Sequence, residues 1–397
     1  MIGGLCEIVW VVDGSDPSAD PMARLLPRLG RVVDTHGLTP GQIAGLLRHE
    51  GVSGITAFTD SQLAVASAIA TALGLDCNPS HVVERLNDKE AQRSALRAAG
   101  IDVPVAVRVP AGADADTVGR LTSDLAFPVV VKPCNGDSSR EARAVADSAT
   151  LRAVFDAPTD RLPDEDFIVE EYLADRDRPA DRALADYVSV EMIVQAGVAV
   201  PLAVTGKFLP AAPFRETGNF MPHPLGADEA GAVLTLAVDA AEALGVRCGA
   251  LHTEIKLTPD GPRVIEVNGR VGGGGIDHLF ALRHGRSLSE LATRVALGQR
   301  IDLVAETPRR WSGPFAFEFF VQPPTSAVRL RSMVGTERLN DDQWARTVAV
   351  NRSPGDALDW RSGSQGYVLR VGGEAPDRAV LASVPASVLG TVEIHYD

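Results

Sequence analysis

The segment HTEIKLTPDGPRVIEVNGRVGGGG, residues 252–275, decides how this chain is read. A strand sends alternate side chains to one face. His252, Glu254 and Lys256 therefore project one way, and Leu251, Ile255 and Leu257 the other. Glu266 and Asn268 likewise share a face, opposite Ile265 and Val267. Between the two runs, Pro259-Asp260-Gly261-Pro262 is a turn sequence, because proline presets φ and glycine takes positive φ freely. A hairpin closed there brings together two carboxylates and a carboxamide, with a lysine nearby. Hard oxygen donors without clustered cysteine or histidine suit Mg²⁺, which fills its shell with water and phosphate oxygens. The plain alternative is a solvated hairpin of alternating charge. The glycines that follow miss the G-x-G-x-x-G spacing of a dinucleotide site. Close backbone approach to a ligand, with Arg270 aimed at an anion, suits them better.

Upstream, FPVVVKP (127–133) reads as a buried strand ending in Lys132, followed by the polar loop CNGDSSREAR. Asn135, Gly136, Ser138 and Ser139 could turn N–H groups and hydroxyls towards phosphates, with the lysine adding charge. A surface lysine at a strand end is the competing reading. Composition bears on the choice. The chain has 38 basic residues, of which only Lys89, Lys132, Lys207 and Lys256 are lysine and 34 are arginine. Where arginine serves nearly every surface role, a lysine marks a place that needs a compact ammonium.

A chain of 397 residues calls for two or three domains. A net charge of −14 argues against a nucleic-acid partner, which needs a basic face. No stretch approaches the ~20 apolar residues that span a bilayer. Cys6, Cys77, Cys134 and Cys248 show no C-x-x-C spacing, so neither zinc nor a redox pair is indicated and the cytoplasm is expected. His223, between two prolines, reads as a loop residue, and His278 and His284 lack zinc spacing.

Strands at 7–12, 31–33 and 54–59 alternate with helices near 19–29, 39–50 and 61–73, which predicts a doubly wound N-terminal α/β domain over 1–85. An amphipathic helix is expected over 86–99, and strands over 167–173, 187–194 and 198–208. A loop should follow from 209 to 226, then helices over 227–244 and 276–297. Beyond about 300, FAFEFFV, RTVAV, GYVLRVGG and TVEIHY predict a small β-rich C-terminal module over 301–397.

In order, NDKEAQRSALRAAGIDVP, FPVVVKPCNGDSSR, FIVEEYL, VSVEMIV, AVTGKF, FRETGNFMP and the 252–275 segment resemble the ATP-grasp superfamily, especially its carboxylate–amine ligases, which include L-amino acid ligases. The resemblance runs from about residue 54 to 300. It implies an α/β fold with central ATP-grasp α+β domains over 86–300, including a flap subdomain at about 120–190. It also implies ATP and Mg²⁺ as cofactors, with a small-molecule carboxylate and an amine as substrates. Lys89 and Lys132 match the lysines that hold ATP phosphates, and Asn135 to Ser139 match the flap. Glu170, Glu171 and Leu173 match the hinge beside adenine, where backbone groups at Glu171 and Leu173 would read its edge. Lys207 joins the nucleotide set. Glu254, Glu266 and Asn268 match the Mg²⁺ ligands, and Arg270 matches an arginine that steadies the transferring phosphoryl group. Arg270, Lys132 and Glu266 are thus the catalytic expectation, and Glu216, Asn219, Gly273 and Gly274 the substrate-lining one. Ser138 and Glu141 stand where the family favours glycine, and Tyr187 where it often has an acidic ribose ligand. A homodimer is allowed. The competing readings are an ATP-grasp carboxylase or purine-pathway ligase, and a degenerate nucleotide-binding protein without turnover.

Overall fold

Two antiparallel sheets organise the chain. The computed structural model describes residues 4–15, 25–156, 165–176, 183–306 and 313–397. The larger sheet has eight strands. They run, in spatial order, Gly261–Asn268, Gly249–Thr258, Leu184–Gln195, Val198–Phe208, Gly218–Met221, Phe315–Val321, Leu369–Ala375 and Ala345–Val350. The smaller sheet orders Ala106–Val109, Phe167–Glu171, Val129–Pro133 and Arg143–Val145. No helix among the described residues is long and apolar enough to cross a membrane.

Strand parity explains where the core lies. Val188, Val190, Met192 and Val194 pack with Leu251, Ile255 and Leu257 against the helix Ala227–Leu244. Ile193 and Leu202 face the other way, onto the helices Ile276–His284 and Leu288–Ala296. Helices on both faces account for the nearly unbroken apolar runs of these strands. Glu191, His252 and Glu254 share parity with Ile193 or oppose that of Leu251, so their side chains leave the helix Ala227–Leu244 and meet on the opposite face.

Several expectations need correction. Residues 54–59 form no strand, so among the described residues the N-terminal sheet comprises Val9–Val12 and Arg31–Asp34, paired in parallel. At Gly54 a Cβ would stand 2.4 Å from Ala296 O, so this segment runs tight against the helix Leu288–Ala296. Of the helix near 19–29, the first part lies outside the described residues and Leu26–Leu29 is helical. The 86–99 helix is two helices, Ser80–Asn87 and Lys89–Ala98. Asp88 breaks them, since its carboxylate accepts the Ala91 N–H (2.9 Å) as an N-cap. The 209–226 loop hides the strand Gly218–Met221, which bridges Val198–Phe208 and Phe315–Val321. Strands from beyond residue 301 extend a sheet begun by the central residues. The same region also carries a helix, Arg378–Thr391, that sequence analysis missed. Pro385 sits inside it and obscured it.

Candidate active site

The hairpin forms as its turn sequence requires, and its register sets the site. Glu254 pairs directly with Glu266, and His252 with Asn268. Cross-strand partners bring their Cβ atoms to about 4.5–5.5 Å. Two carboxylates and the Asn268 carboxamide therefore meet on one face. Burial opposes ionisation of Glu254, yet the His252 hydrogen bond and charge, with Lys207 and Arg270, hold its carboxyl down at about 2. Among the described residues no three His, Cys, Asp or Glu side chains cluster to cage a metal. Two carboxylates and a carboxamide suit Mg²⁺ all the same, because that ion takes most of its shell from water and phosphate.

Behind the hairpin lies a buried network that the sequence did not disclose. His252 Nδ1 is 2.9 Å from Glu191 Oε2, and Glu191 Oε1 accepts from Ser189 Oγ (2.7 Å) and Thr205 Oγ1 (2.9 Å). Burial would lower the His252 pKa, but Glu191 and Glu254 push it up to about 9, which favours the protonated ring. Its Nε2 lies 3.4 Å from Glu254 Oε1 and fixes that carboxylate. Lys207 is wholly buried, 2.9 Å from Glu216 Oε1, with the Tyr187 ring 5.7 Å away. Glu216 and Glu254 raise its pKa against the effect of burial.

The lysines converge from two other elements. The Lys89 N–H donates to Cys134 O (3.1 Å), which fastens the start of the helix Lys89–Ala98 to the end of the strand Val129–Pro133. Lys89 Nζ reaches Glu266 Oε1 (3.0 Å) and Gly136 O (2.7 Å), joining hairpin and flap loop. Lys132 Nζ pairs with Glu170 Oε1 at 2.6 Å, while Arg93 Nε holds Glu170 Oε2 at 3.2 Å. Lys132 is therefore no snorkelling surface residue.

At the hinge, Arg263 grips the Glu171 carboxylate through Nη1 (2.8 Å) and Nη2 (3.1 Å). The Glu171 N–H is already taken by Val105 O (2.9 Å). The flap residues Ser138, Ser139 and Glu141 have φ of 55°, 57° and 56°. Their left-handed backbone is what glycine would accommodate without strain. Arg270 Nε is 2.7 Å from Asp60 Oδ2, a partner from the N-terminal residues that sequence reasoning did not foresee.

One cavity of about 850 Å³ connects these groups. Lys89, Lys132, Gly136, Ser138, Ser139, Glu170, Glu171 and Leu173 line it together with Glu254, Glu266, Asn268, Arg270, Glu216, Gly273 and Gly274. Asn135, Lys207 and Asn219 stand outside the lining. Asn219 is fully buried, and its Nδ2 donates to Gly274 O (2.9 Å), so it shapes the glycine-rich loop from beneath. That loop explains its own composition. At Gly272 a Cβ would lie 2.7 Å from His252 Nδ1, and at Gly275 2.8 Å from Glu318 Cγ. Arg370, held by both Glu318 oxygens at 2.8 Å, is a further lining residue that sequence analysis missed. No motif surrounds it that could have flagged it.

Comparison with known proteins agrees with this architecture. Residues 125–277 match the ATP-grasp domain family. The chain is 27 % identical over 245 residues to the alanine–anticapsin ligase of Bacillus subtilis (strain 168), covering 58 % of this chain and 51 % of that protein. It thus spans about half the length of the curated relatives it matches. An L-amino acid ligase structure from Bacillus licheniformis superposes with a TM-score of 0.73 at 21 % identity, over 92 % of this chain and 88 % of that one. The biotin carboxylase domain of a Hydrogenobacter thermophilus 2-oxoglutarate carboxylase, solved with MgADP, gives 0.63 at 16 % identity, over 98 % and 85 %. Residues 125–277 of this chain thus match an ATP-grasp domain, and its fold is that of the superposed ligase and carboxylase.

Proposed function

We propose that the chain is an ATP- and Mg²⁺-dependent ligase that joins a carboxylate, an amino acid, to an amine through an acyl phosphate. The observation that carries this reading is the convergence of Lys89, Lys132, Glu254, Glu266, Asn268 and Arg270 on one cavity. The alanine–anticapsin and L-amino acid ligases named above support it, as does the MgADP bound in the third protein. The same reading places the enzyme in the cytoplasm and allows a homodimer.

A carboxylate is a poor electrophile, and transfer of the γ-phosphoryl group cures that. Its oxygen attacks the γ-phosphorus, the bond to the β-phosphate oxygen breaks and ADP leaves. The amine nitrogen then attacks the acyl carbon, the carbon–oxygen bond to phosphate breaks, and the nitrogen loses its proton. Lys89 and Lys132 would bind phosphate oxygens, and Arg270 would offset charge on the transferring group, the role that dominates phosphoryl-transfer catalysis. Glu254, Glu266 and Asn268 would hold Mg²⁺, which supplies charge neutralisation when bound. His252 and Glu191 would keep Glu254 oriented and ionised. The loop from Asn135 to Ser139 would exclude water from the acyl phosphate.

The test is incubation with ATP, Mg²⁺ and pooled amino acids, with nucleotide products resolved by chromatography and new amides by mass. ADP, phosphate and a condensed product are expected. Stoichiometric AMP, or ATP consumption only with bicarbonate, would overturn the ligase reading.

A further inference from the structure

The segment Trp360–Gly366 touches both loops that enclose the cavity. On one side it meets the flap loop. The Ser364 N–H donates to Ser138 O (2.7 Å), Gln365 Nε2 donates to Ser138 Oγ (3.3 Å), and the Glu141 N–H donates to Arg361 O (3.3 Å). On the other side it meets the substrate loop. The Glu216 N–H donates to Ser364 Oγ (2.9 Å), and Gln322 Nε2 donates to both Ser364 O and Glu216 O (2.8 Å each). Ser364 thus holds the phosphate side with its backbone and the substrate side with its hydroxyl. The fit on the flap is close. Gly363 has φ 69°, and a Cβ there would stand 2.1 Å from Ser138 O and 2.8 Å from Arg140 N. Ser138, Ser139 and Glu141 carry left-handed backbone, a strain that persists only where surrounding contacts impose it. Residues 361–365 supply such contacts.

We propose that Ser364 is a positioning residue that couples the substrate loop to the phosphate flap, so that a carboxylate substrate bound beside Glu216 tightens closure over ATP. The proposal rests on the ligase reading above. Glu216 is well placed to relay occupancy, because its side chain is anchored to Lys207 and its N–H to Ser364. Coupling between two ligands is reciprocal, so the nucleotide must tighten the carboxylate by the same factor.

Two measurements on the full chain test this. Calorimetry of a non-hydrolysable ATP analogue with Mg²⁺, with and without the amino acid that supports turnover, gives the coupling ratio. Ser364→Ala should lower that ratio about five-fold, the worth of one hydrogen bond, and leave affinity for the analogue alone unchanged. An unaltered ratio, or a wild-type ratio of one with a substrate that is turned over, overturns the proposal. The second measurement is hydrogen exchange in the ligand-free protein, with melting temperature as the folding control. Gly363→Ala should speed exchange across residues 136–141, and Ser364→Ala should speed it at the Glu216 amide. If the wild type binds no ATP the ligase reading falls, and unchanged exchange in both variants then overturns the tether itself.

Discussion

Lys132 Nζ lies 2.6 Å from Glu170 Oε1, with both side chains largely removed from solvent. Glu170 is itself held by Arg93, so the ammonium is fixed from behind at the edge of the cavity. A guanidinium is wider and presents its donors in one plane. Lys132→Arg should therefore keep the fold and lose kcat/KM for ATP by about 10²-fold or more, the effect of removing one preorganised donor. Steady-state kinetics beside a melting curve decide it. A folded variant with wild-type ATP dependence would remove Lys132 from the phosphate site.

Glu266 faces Glu254 across the hairpin and also receives Lys89 at 3.0 Å. Glu266→Gln retains shape and hydrogen-bonding atoms but removes one negative charge. Turnover should fall by several kcal/mol of transition-state stabilisation, roughly what metal-assisted charge neutralisation is worth. The dependence on Mg²⁺ concentration should move to higher values. Near-normal kcat at saturating Mg²⁺ would show that the carboxylate holds no metal.

Gly272 and Gly273 are neighbours with opposite surroundings. A Cβ at Gly272 would lie 2.7 Å from His252 Nδ1 and 3.0 Å from Glu191 Oε2, whereas one at Gly273 meets nothing within 4 Å. Gly272→Ala should displace the buried pair, costing about 1–3 kcal/mol as overpacking does, and should abolish most activity. Gly273→Ala should keep the wild-type melting temperature. Equal stability of the two variants, read from urea midpoints, would contradict the close packing over His252.

How legible was this in the sequence? Period-two alternation fixed which face Glu254, Glu266 and Asn268 share, because parity survives any tertiary arrangement. Lysine scarcity pointed to Lys89, Lys132, Lys207 and Lys256, of which Lys207 alone stands outside the cavity lining. Partners far along the chain were invisible. Glu191 meets His252 only because the strands Leu184–Gln195 and Gly249–Thr258 pair in that register. Asp60 meets Arg270 across 210 positions, and Ser364 meets Ser138 across more. Such contacts are set by packing between elements, which no local pattern encodes. The lost strand at 54–59 has the same origin: β-branched residues favour pairing, yet Gly54 passes too close to Ala296 to join a sheet there.

The ion pair behind Lys132 makes a prediction about stability alone. Arg93 is almost wholly buried and donates through Nε to Glu170 and through Nη2 to Ile265 O, so it joins the helix Lys89–Ala98 to both sheets. Arg93→Met leaves Glu170 buried with only Lys132, and breaking such a pair costs about 3–5 kcal/mol. Acid should expose the same interaction. Burial alone would raise the Glu170 pKa, but Arg93 and Lys132 together hold it below the ordinary glutamate value of 4.5. A depressed carboxyl stabilises the fold above that value, and the contribution is lost as pH falls through the folded one. Wild-type stability from this source should therefore stay level between pH 7 and pH 5 and decline below about 4.5. In Arg93→Met burial gains the upper hand over Lys132 alone and raises the Glu170 pKa, so this source should destabilise the variant at pH 7 and the loss should be recovered, not deepened, as pH falls through the raised value. Urea midpoints at pH 7, 6, 5 and 4 measure both effects. A variant with wild-type stability at pH 7 and an unshifted acid limb would show that Glu170 draws nothing from Arg93.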